Sequence, residues 1–426
     1  MNIRETAVEI YRKALEGKGA DADIAANAAA QERAFIKRLV LTALRRQEFL
    51  KKIIGKFSSK PLPAKLSAVH LLIILGAVEI LYFDTPEYAI VNSYVELAKK
   101  NGGKYAGGFV NAILHKICQN KENISQAAGA PFFPKAFRRL LQDDYSQKQI
   151  NAVERTALNE PPLDITVKKD ASEWSKQLDG KIMPNGSVRL YSAGDVKLLS
   201  GYNEGAWWVQ DMASSLAVIS LGDIKGKNIL DLCAAPGGKT AQLANGGACV
   251  TALDISAERL NTLKNNLDRL QLPVQEIICE DALNFLKNTD KVYDIILVDA
   301  PCSATGTLRR HPEIIHTRGA KDIEQNAALQ KKLLEAAASR IINGGIILYA
   351  VCSLSKKEGE KQILEFVSSH PEFKINPIKA ETIAGQRKNE INELITNEGF
   401  IRCLPCYFEQ DGGLDGFFVA QLKKVK

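Results

Sequence analysis

The chain has no apolar run of the about 20 residues that a bilayer span needs. Its most apolar stretch, Ala68 to Phe83, is interrupted by His70 and Glu79 and reads as a buried helix of a soluble bundle. Cysteine is sparse: eight in 426 residues (118, 233, 249, 279, 302, 352, 403 and 406), too dilute for a disulfide scaffold. Most lie in apolar, strand-like runs, and a reducing cytosol suits them. Met1-Asn2-Ile3-Arg4-Glu5 leads into an amphipathic pattern and not a secretory signal, so a cytoplasmic protein without a membrane partner is expected. Beside Cys403-Leu-Pro-Cys406 there is no second cysteine pair and no suitable histidine pair to complete a zinc site, so no metal is expected. No internal repeat or low-complexity tract is present either.

What is present is a globular composition, 46% hydrophobic and 25% charged, on a chain too long for one ordinary domain. The formal charge of +7 is unevenly spread. Residues 1–130 hold 19 Lys and Arg against 12 Asp and Glu, which leaves 37 of each for the remainder. The first third is thus a candidate for polyanion binding, although an ordinary solvated surface explains the charge equally well.

Apolar residues recur at helical spacing in Thr6 to Leu15, Ala34 to Ile54, Leu66 to Phe83, Ala89 to Ala98 and Phe109 to Ile117. Pro61-Leu-Pro63, Asp84-Thr-Pro86 and Asn101-Gly-Gly103 separate them, so residues 1–125 predict an all-α bundle. Arg33, Lys37, Arg38, Arg45 and Arg46 recur within one helix and form either a solvated face or a phosphate-contacting stripe. After a Gly-Ala-Pro break at 129–131, residues 126–205 predict a small α+β connector, with helices near Lys135 to Gln142 and Ser146 to Leu158. From 206 to 426, strand-like runs at Asn228 to Cys233, Cys249 to Leu253, Glu276 to Cys279, Ile295 to Val298 and Ile346 to Val351 alternate with helical ones. That alternation predicts an α/β, Rossmann-like domain with an open, mainly parallel sheet, in which ligands gather at the carboxyl ends of the strands. Trp207 and Trp208 open this domain and are expected in its core.

Asp231-Leu-Cys-Ala-Ala-Pro-Gly-Gly-Lys-Thr240 lies between a strand and a helix, and Gly237 and Gly238 permit a tight turn and close approach of a ligand to backbone amides. The Gly-x-Gly-x-x-Gly dinucleotide pattern is absent, and a phosphate loop would need glycine at 233, where this chain has cysteine. S-adenosylmethionine (SAM) is the remaining candidate. Asp254, 17 residues beyond Gly237, closes the second strand at a distance suited to ribose hydroxyls, and Asp281 after the third suits an adenine amino group. Either acid alone would be a surface residue or a helix cap.

Cys302, in Asp299-Ala-Pro-Cys-Ser, and Cys352, in Tyr349-Ala-Val-Cys-Ser, are 50 residues apart, each at a predicted strand end. Carbon 5 of cytosine is a poor nucleophile. A thiolate added to carbon 6 makes carbon 5 enamine-like and divides one hard step into easier ones. Cys352 is assigned as the nucleophile, Cys302 as the thiol that assists release, and Asp299 as the acid at ring N3. Lys239 is a candidate for promoting ionisation of Cys352. The bland alternative, buried structural cysteines, is accepted for Cys118, Cys233, Cys249 and Cys279. Arg309, Arg310 and His311 follow the catalytic loop and are candidates for phosphates flanking a flipped-out nucleotide.

The runs 231–240, Asp299-Ala-Pro-Cys-Ser-Ala-Thr-Gly306, Arg309-Arg-His-Pro-Glu313, Val209-Gln-Asp211 and Asp415-Gly-Phe-Phe418 resemble the motifs of the bacterial ribosomal RNA cytosine-C5 methyltransferases of the RsmB (Sun/Fmu) family. The resemblance covers nearly the whole chain, including a helical N-terminal part similar to the RNA-binding fold of the antitermination factor NusB. It implies a class I SAM-dependent methyltransferase domain at 206–426. It implies cofactor contacts from Cys233, Ala234, Ala235, Pro236, Gly237, Gly238, Lys239, Asp254, Arg259, Asp281 and Asp299. It also implies ribosomal RNA as partner, with the nucleophile at Cys352 and the release thiol at Cys302; a monomer is expected. Val351 departs from the threonine usual before the nucleophile, which removes a hydroxyl but not the thiol. A transfer RNA methyltransferase and a non-catalytic RNA-binding assembly factor are the alternatives, and the retained pair of thiols argues against the second.

Overall fold

A computed structural model describes residues 2–19, 29–58, 67–127 and 133–425. The turn signals at 61–63 and 129–131 lie outside these residues. The chain forms two compact units, Met1–Glu160 with Leu308–Arg318, and Pro161–Thr307 with Gly319–Lys426.

The first unit is helical, with helices Ile3–Leu15, Ala30–Phe57, Ser67–Tyr82, Glu87–Gln119, Lys121–Ala127, Lys135–Gln142 and Gln147–Ala157. Ser67–Tyr82 is the apolar helix, and its Leu72, Ile73, Leu75 and Val78 are buried with Leu39, Leu44, Val110 and Leu114 in one core. Each such side chain contributes about 1.5–3 kcal/mol relative to exposure. Glu79 interrupts the apolar run without leaving the interior, because it accepts hydrogen bonds from Arg4 Nε at 2.9 Å and Tyr94 Oη at 3.2 Å. The two helices expected on either side of Asn101-Gly-Gly103 are one run, Glu87–Gln119, broken at Gly103 by a positive φ of 76°. Among the described residues, no helix is long and apolar enough to cross a membrane.

Leu308–Arg318 belongs to this helical unit. Leu308, Pro312, Ile314 and Ile315 are buried, Arg45 Nη2 donates to the Arg309 carbonyl at 2.8 Å, and His316 Nε2 donates to the Leu44 carbonyl at 2.9 Å. That bond fixes the neutral tautomer, so His316 Nδ1 accepts from Gln47 Nε2 at 3.4 Å, while Gln47 Oε1 accepts from the Tyr11 hydroxyl. Burial holds the His316 pKa below the usual histidine value, in keeping with a neutral ring.

The second unit contains two sheets. The smaller has the order β2-β3-β1-β4, with β1 Leu163–Val167, β2 Lys181–Ile182, β3 Val188–Leu190 and β4 Trp207–Val209. Ile165 pairs with Val209 and Val167 with Trp207, so a boundary at 205 would cut this ladder. The region expected as a separate connector divides instead at 160/161: the helices Lys135–Gln142 and Gln147–Ala157 join the first unit, and its strands, with the helix Ala171–Gln177, the second. Trp207 and Trp208 are buried, as expected.

The larger sheet contains β5 Asn228–Leu232, β6 Cys249–Asp254, β7 Glu276–Cys279, β8 Tyr293–Asp299, β9 Ile341–Val351, β10 Phe373–Ile375 and β12 Phe417–Lys424, in the order β10-β12-β9-β8-β5-β6-β7, with β11 Ile401–Cys403 paired to β12. Strands β5 to β9 are parallel. Strand β12 runs antiparallel to β9, β10 and β11. Strand order reverses between β5 and β8, which opens a crevice at their carboxyl ends.

Candidate active site

The turn after β5 is held from several sides. Cys233 has φ 60° and Gly237 φ 103°, so the backbone reverses twice within the motif. Thr240 Oγ1 donates to Asp231 Oδ2 at 2.7 Å. Asp254, at the end of β6, accepts from Ala235 N at 3.1 Å and Ser256 N at 2.9 Å. Arg259 donates to the Ala235 carbonyl, with Nη1 3.6 Å from Asp254 Oδ2. Asp281 caps the helix Ala282–Asn288 through Oδ1, which accepts from Asn284 N at 3.0 Å. Burial pushes the Asp231 carboxyl up to about 7, against the hydrogen bond from Thr240, and its Oδ1 is buried with no hydrogen-bond partner. Burial likewise pushes the Cys233 thiol up to about 12.

These residues fit an adenosine-bearing methyl donor. Carboxylates stand at the ends of adjacent strands, a glycine turn leads into the helix Gly238–Asn245, and Ile255, 69% exposed beside Asp254, offers an apolar face.

The residues expected to react stand at the ends of β8 and β9. Lys239 Nζ donates to Asp299 Oδ2 at 2.8 Å and lies 5.0 Å from the Phe417 ring centroid. Its hydrogen-bond partner is thus Asp299 and not Cys352. Asp299 and Ala350 are register partners, and Ala300 N donates to the Ala350 carbonyl at 3.0 Å. The two loops that follow bring Cys302 Sγ to 3.4 Å from Cys352 Sγ. The hydrogen bond to Cys352, followed by burial, raises the Cys302 pKa well above the usual thiol range. Either sulfur can be the donor across this gap. Val351 is buried opposite Phe418 on β12, so its side chain adds to the core.

Gly416, Phe417 and Glu358 also build this site. The first two lie in a motif that sequence reading left without a role, and Glu358 was overlooked. Its signal is the repeated Cys-Ser dipeptide at 302–303 and 352–353, which sets a hydroxyl behind each thiol.

The other cysteines are dispersed. Cys249 and Cys279 are exposed and not buried, because one begins β6 and the other ends the edge strand β7. Cys118 and Cys233 are half-buried, Cys403 is buried and Cys406 half-buried, and none of them forms a disulfide among the described residues. No cluster of three or more metal-ligating side chains occurs among the described residues.

Of the basic residues, Arg33, Lys37 and Arg38 are exposed on the helix Ala30–Phe57, whereas Arg45 and Arg46 are half-buried. Burial lowers the Arg45 pKa to about 10. Arg309 is fully buried, so its guanidinium does not face solvent as a phosphate ligand would, and Arg310 and His311 are half-buried. The buried apolar side chains of the same segment draw it into the helical unit.

Residues 218–423 match the family described as 16S rRNA methyltransferase RsmB/F, and residues 1–119 match the NusB family. The chain is 31% identical over 447 residues to the ribosomal RNA small subunit methyltransferase B of Vibrio vulnificus, with 100% of both chains covered. It is 31% identical over 457 residues to the protein of the same name from Pseudomonas putida, covering 100% of this chain and 99% of the relative. Among solved structures, PH0851 is similar at 22% identity with a TM-score of 0.76, covering 100% of this chain and 99% of that one. NSun6 from Pyrococcus horikoshii, solved with SFG, is similar at 19% identity with a TM-score of 0.57, covering 69% of this chain and 99% of that one. The two structural likenesses establish the fold, and the sequence relationship along the whole length goes further: the chain belongs to the 16S rRNA methyltransferase RsmB/F family.

Proposed function

We propose that the protein methylates carbon 5 of a cytosine in small-subunit ribosomal RNA through a transient bond between Cys352 and carbon 6. The observation that carries this reading is the 3.4 Å approach of Cys302 to Cys352 at the end of the strand pair that also bears Asp299. SAM bound at the 233–240 turn, with Asp254, Arg259 and Asp281 around it, supplies an electrophilic methyl group.

Cys352, as thiolate, adds to carbon 6 of the base. Asp299 passes a proton drawn from its partner Lys239 to ring N3, which neutralises the negative charge that thiolate addition places there, and takes it back when the carbon 5–carbon 6 double bond re-forms. Once Cys352 has become a thioether, its sulfur is a weaker acceptor, and Cys302 loses the hydrogen bond that chiefly retained its proton. After Cys302 has released that proton to solvent, its thiolate removes the proton from carbon 5. The sulfur–carbon 6 bond then breaks, and the electron pair returns to Cys352.

All of these groups come from one chain, so one copy suffices. Arg33, Lys37 and Arg38 of the NusB-family segment are the proposed phosphate contacts, and eight cysteines without a disulfide among the described residues suit a reducing cytoplasm.

The test is to mix Cys302→Ala and Cys352→Ala enzymes with small-subunit RNA and SAM and resolve the products under denaturing conditions. Cys302→Ala is expected to accumulate a slow-migrating protein–RNA adduct because release stalls, and Cys352→Ala to give neither adduct nor methylation. An adduct in Cys352→Ala, or none in Cys302→Ala, overturns the division of roles.

A further inference from the structure

One buried carboxylate lies between the two cysteine-bearing loops. Glu358 is fully buried. Its Oε1 accepts from the backbone N–H of Ser303 at 2.8 Å and from Gln330 Nε2 at 3.2 Å. Its Oε2 accepts from the hydroxyls of both Ser303 and Ser353, the residues that follow Cys302 and Cys352. Gln330 Nε2 also donates to the Pro301 carbonyl at 2.8 Å, and the Tyr349 hydroxyl donates to the Glu358 carbonyl at 2.6 Å, which ties residue 358 back to β9. Thr305 Oγ1 accepts from Leu354 N at 2.9 Å and stands 3.3 Å from both serine hydroxyls. Ser353 Oγ is already an acceptor for Ser355 N at 3.0 Å, so its proton is directed to Glu358. Beyond the Ser353 backbone, Arg402 Nη1 donates to the Ser353 carbonyl at 2.6 Å, and Arg402 is itself held by Glu360 and lies 4.7 Å from the Phe418 ring centroid.

We propose that Glu358 is a positioning residue that fixes the loop of Cys302 against the loop of Cys352 and so sets the approach of the two sulfur atoms. The proposal rests on the reading of Cys352 as nucleophile and Cys302 as release base. Glu358 touches neither sulfur in this network; it acts through Ser303 and Ser353. Behind the hydrogen bond to Cys352 and burial, its charge is one further cause holding the proton on Cys302. A glutamine at 358 matches the shape but not the bonding. Its carbonyl must face the Ser303 and Gln330 N–H groups, which leaves an amine facing two hydroxyls that now donate into it.

The test uses the full chain and two independent readouts. One is single-turnover methylation of small-subunit RNA. The other is the rate at which diamide oxidises Cys302 and Cys352 to a mutual disulfide, mapped by peptide mass spectrometry. Glu358→Gln is expected to keep its affinity for SAM, to methylate about 100-fold more slowly, as a loop displaced by about 1 Å would, and to form the 302–352 disulfide at least about tenfold more slowly. Ser303→Ala added to Glu358→Gln is expected to cost little more, because the two act as one unit. If Glu358→Gln does not fold, Ser353→Ala is judged by the same two rates. Wild-type rates in both readouts overturn the proposal, as does slow methylation with an unchanged disulfide rate. If instead wild-type enzyme fails to methylate RNA while Glu358→Gln still slows the disulfide, the functional reading fails and the positioning role stands.

Discussion

Gly306 and Gly416 meet backbone to backbone: Gly416 N donates to the Gly306 carbonyl at 2.8 Å, and a β-carbon added to Gly306 would stand 1.9 Å from the Gly416 carbonyl oxygen. No side chain fits that gap. Gly306 N in turn donates to the Cys352 carbonyl at 3.0 Å, so the segment that carries Cys302 is pinned between β12's entry and the proposed nucleophile. Gly306→Ala is therefore expected to force the loop outward and lower methylation about 100-fold, with a stability loss of about 1–3 kcal/mol. Single-turnover rates and chemical denaturation measure the two effects. A Gly306→Ala enzyme with the wild-type rate would mean that this backbone contact does not locate Cys302.

Lys239 and Asp299 form the ion pair proposed to serve the chemistry at the base. The Lys239 side chain is 10% exposed and that of Asp299 30%, so Asp299 is the member open to the crevice. Replacing it by asparagine keeps the shape but removes the group that passes a proton to ring N3. Asp299→Asn is expected to lower kcat about 100-fold or more, in the range of a lost proton-handling group, while SAM affinity by calorimetry changes less than about tenfold. Lys239→Met is expected to lower kcat in the same direction by leaving Asp299 unpaired. Loss of SAM affinity matching the loss of kcat would make Asp299 a cofactor ligand alone.

Asp231 gives the fold a pH signature. Burial raises its carboxyl from the ordinary 3.8 to about 7. Between those values the folded chain holds a proton that the unfolded chain has lost, so this group's contribution to stability falls as pH rises from about 4 to 7 and is lost above that. Three units correspond to at most about 4 kcal/mol. Asp231→Asn cannot titrate. Its unfolding free energy is expected to fall less steeply than that of wild type between pH 5 and pH 8 in parallel denaturant titrations, and identical slopes would refute the assignment.

Strands β5 to β9 were legible because a parallel strand covered on both faces reads as a continuous apolar run, as in Ile295 to Val298 and Ile346 to Val351. The same logic located Cys302 and Cys352, since residues of interest in such sheets follow strand ends. Lys135–Gln142 was likewise legible from local helical spacing. What local pattern could not supply was pairing at a distance. The ladder of β4 belongs to β1, more than thirty residues upstream, and Leu308, Pro312, Ile314 and Ile315 are buried because their segment joins helices far earlier in the chain. Glu358 is hard to read for a related reason: the two Cys-Ser dipeptides mark the hydroxyls it binds, but a glutamate in a Lys-Glu-Gly-Glu run itself reads as solvated surface, and only the fold turns it inward between the two serines.

The exposed cations of the first unit separate an electrostatic role from a structural one. Arg33, Lys37 and Arg38 are exposed, and the Arg38 guanidinium lies 4.4 Å from the Phe83 ring centroid, which keeps it extended along the helix surface. Each phosphate such a residue neutralises contributes about 0.7 to 0.9 to the slope of log affinity against log salt. The triple variant Arg33→Ala, Lys37→Ala, Arg38→Ala is expected to weaken RNA binding at low salt and to lower that slope by about two, with little change in folding stability. Arg45→Ala is expected to do the reverse. It removes a buried guanidinium bonded to the Arg309 carbonyl, at a cost of about 1–3 kcal/mol, and leaves the salt slope where it was. Filter binding across a salt series, with denaturation of the same preparations, distinguishes the two. An unchanged slope in the triple variant would reduce that face to a solvated helix surface and move the RNA contact elsewhere.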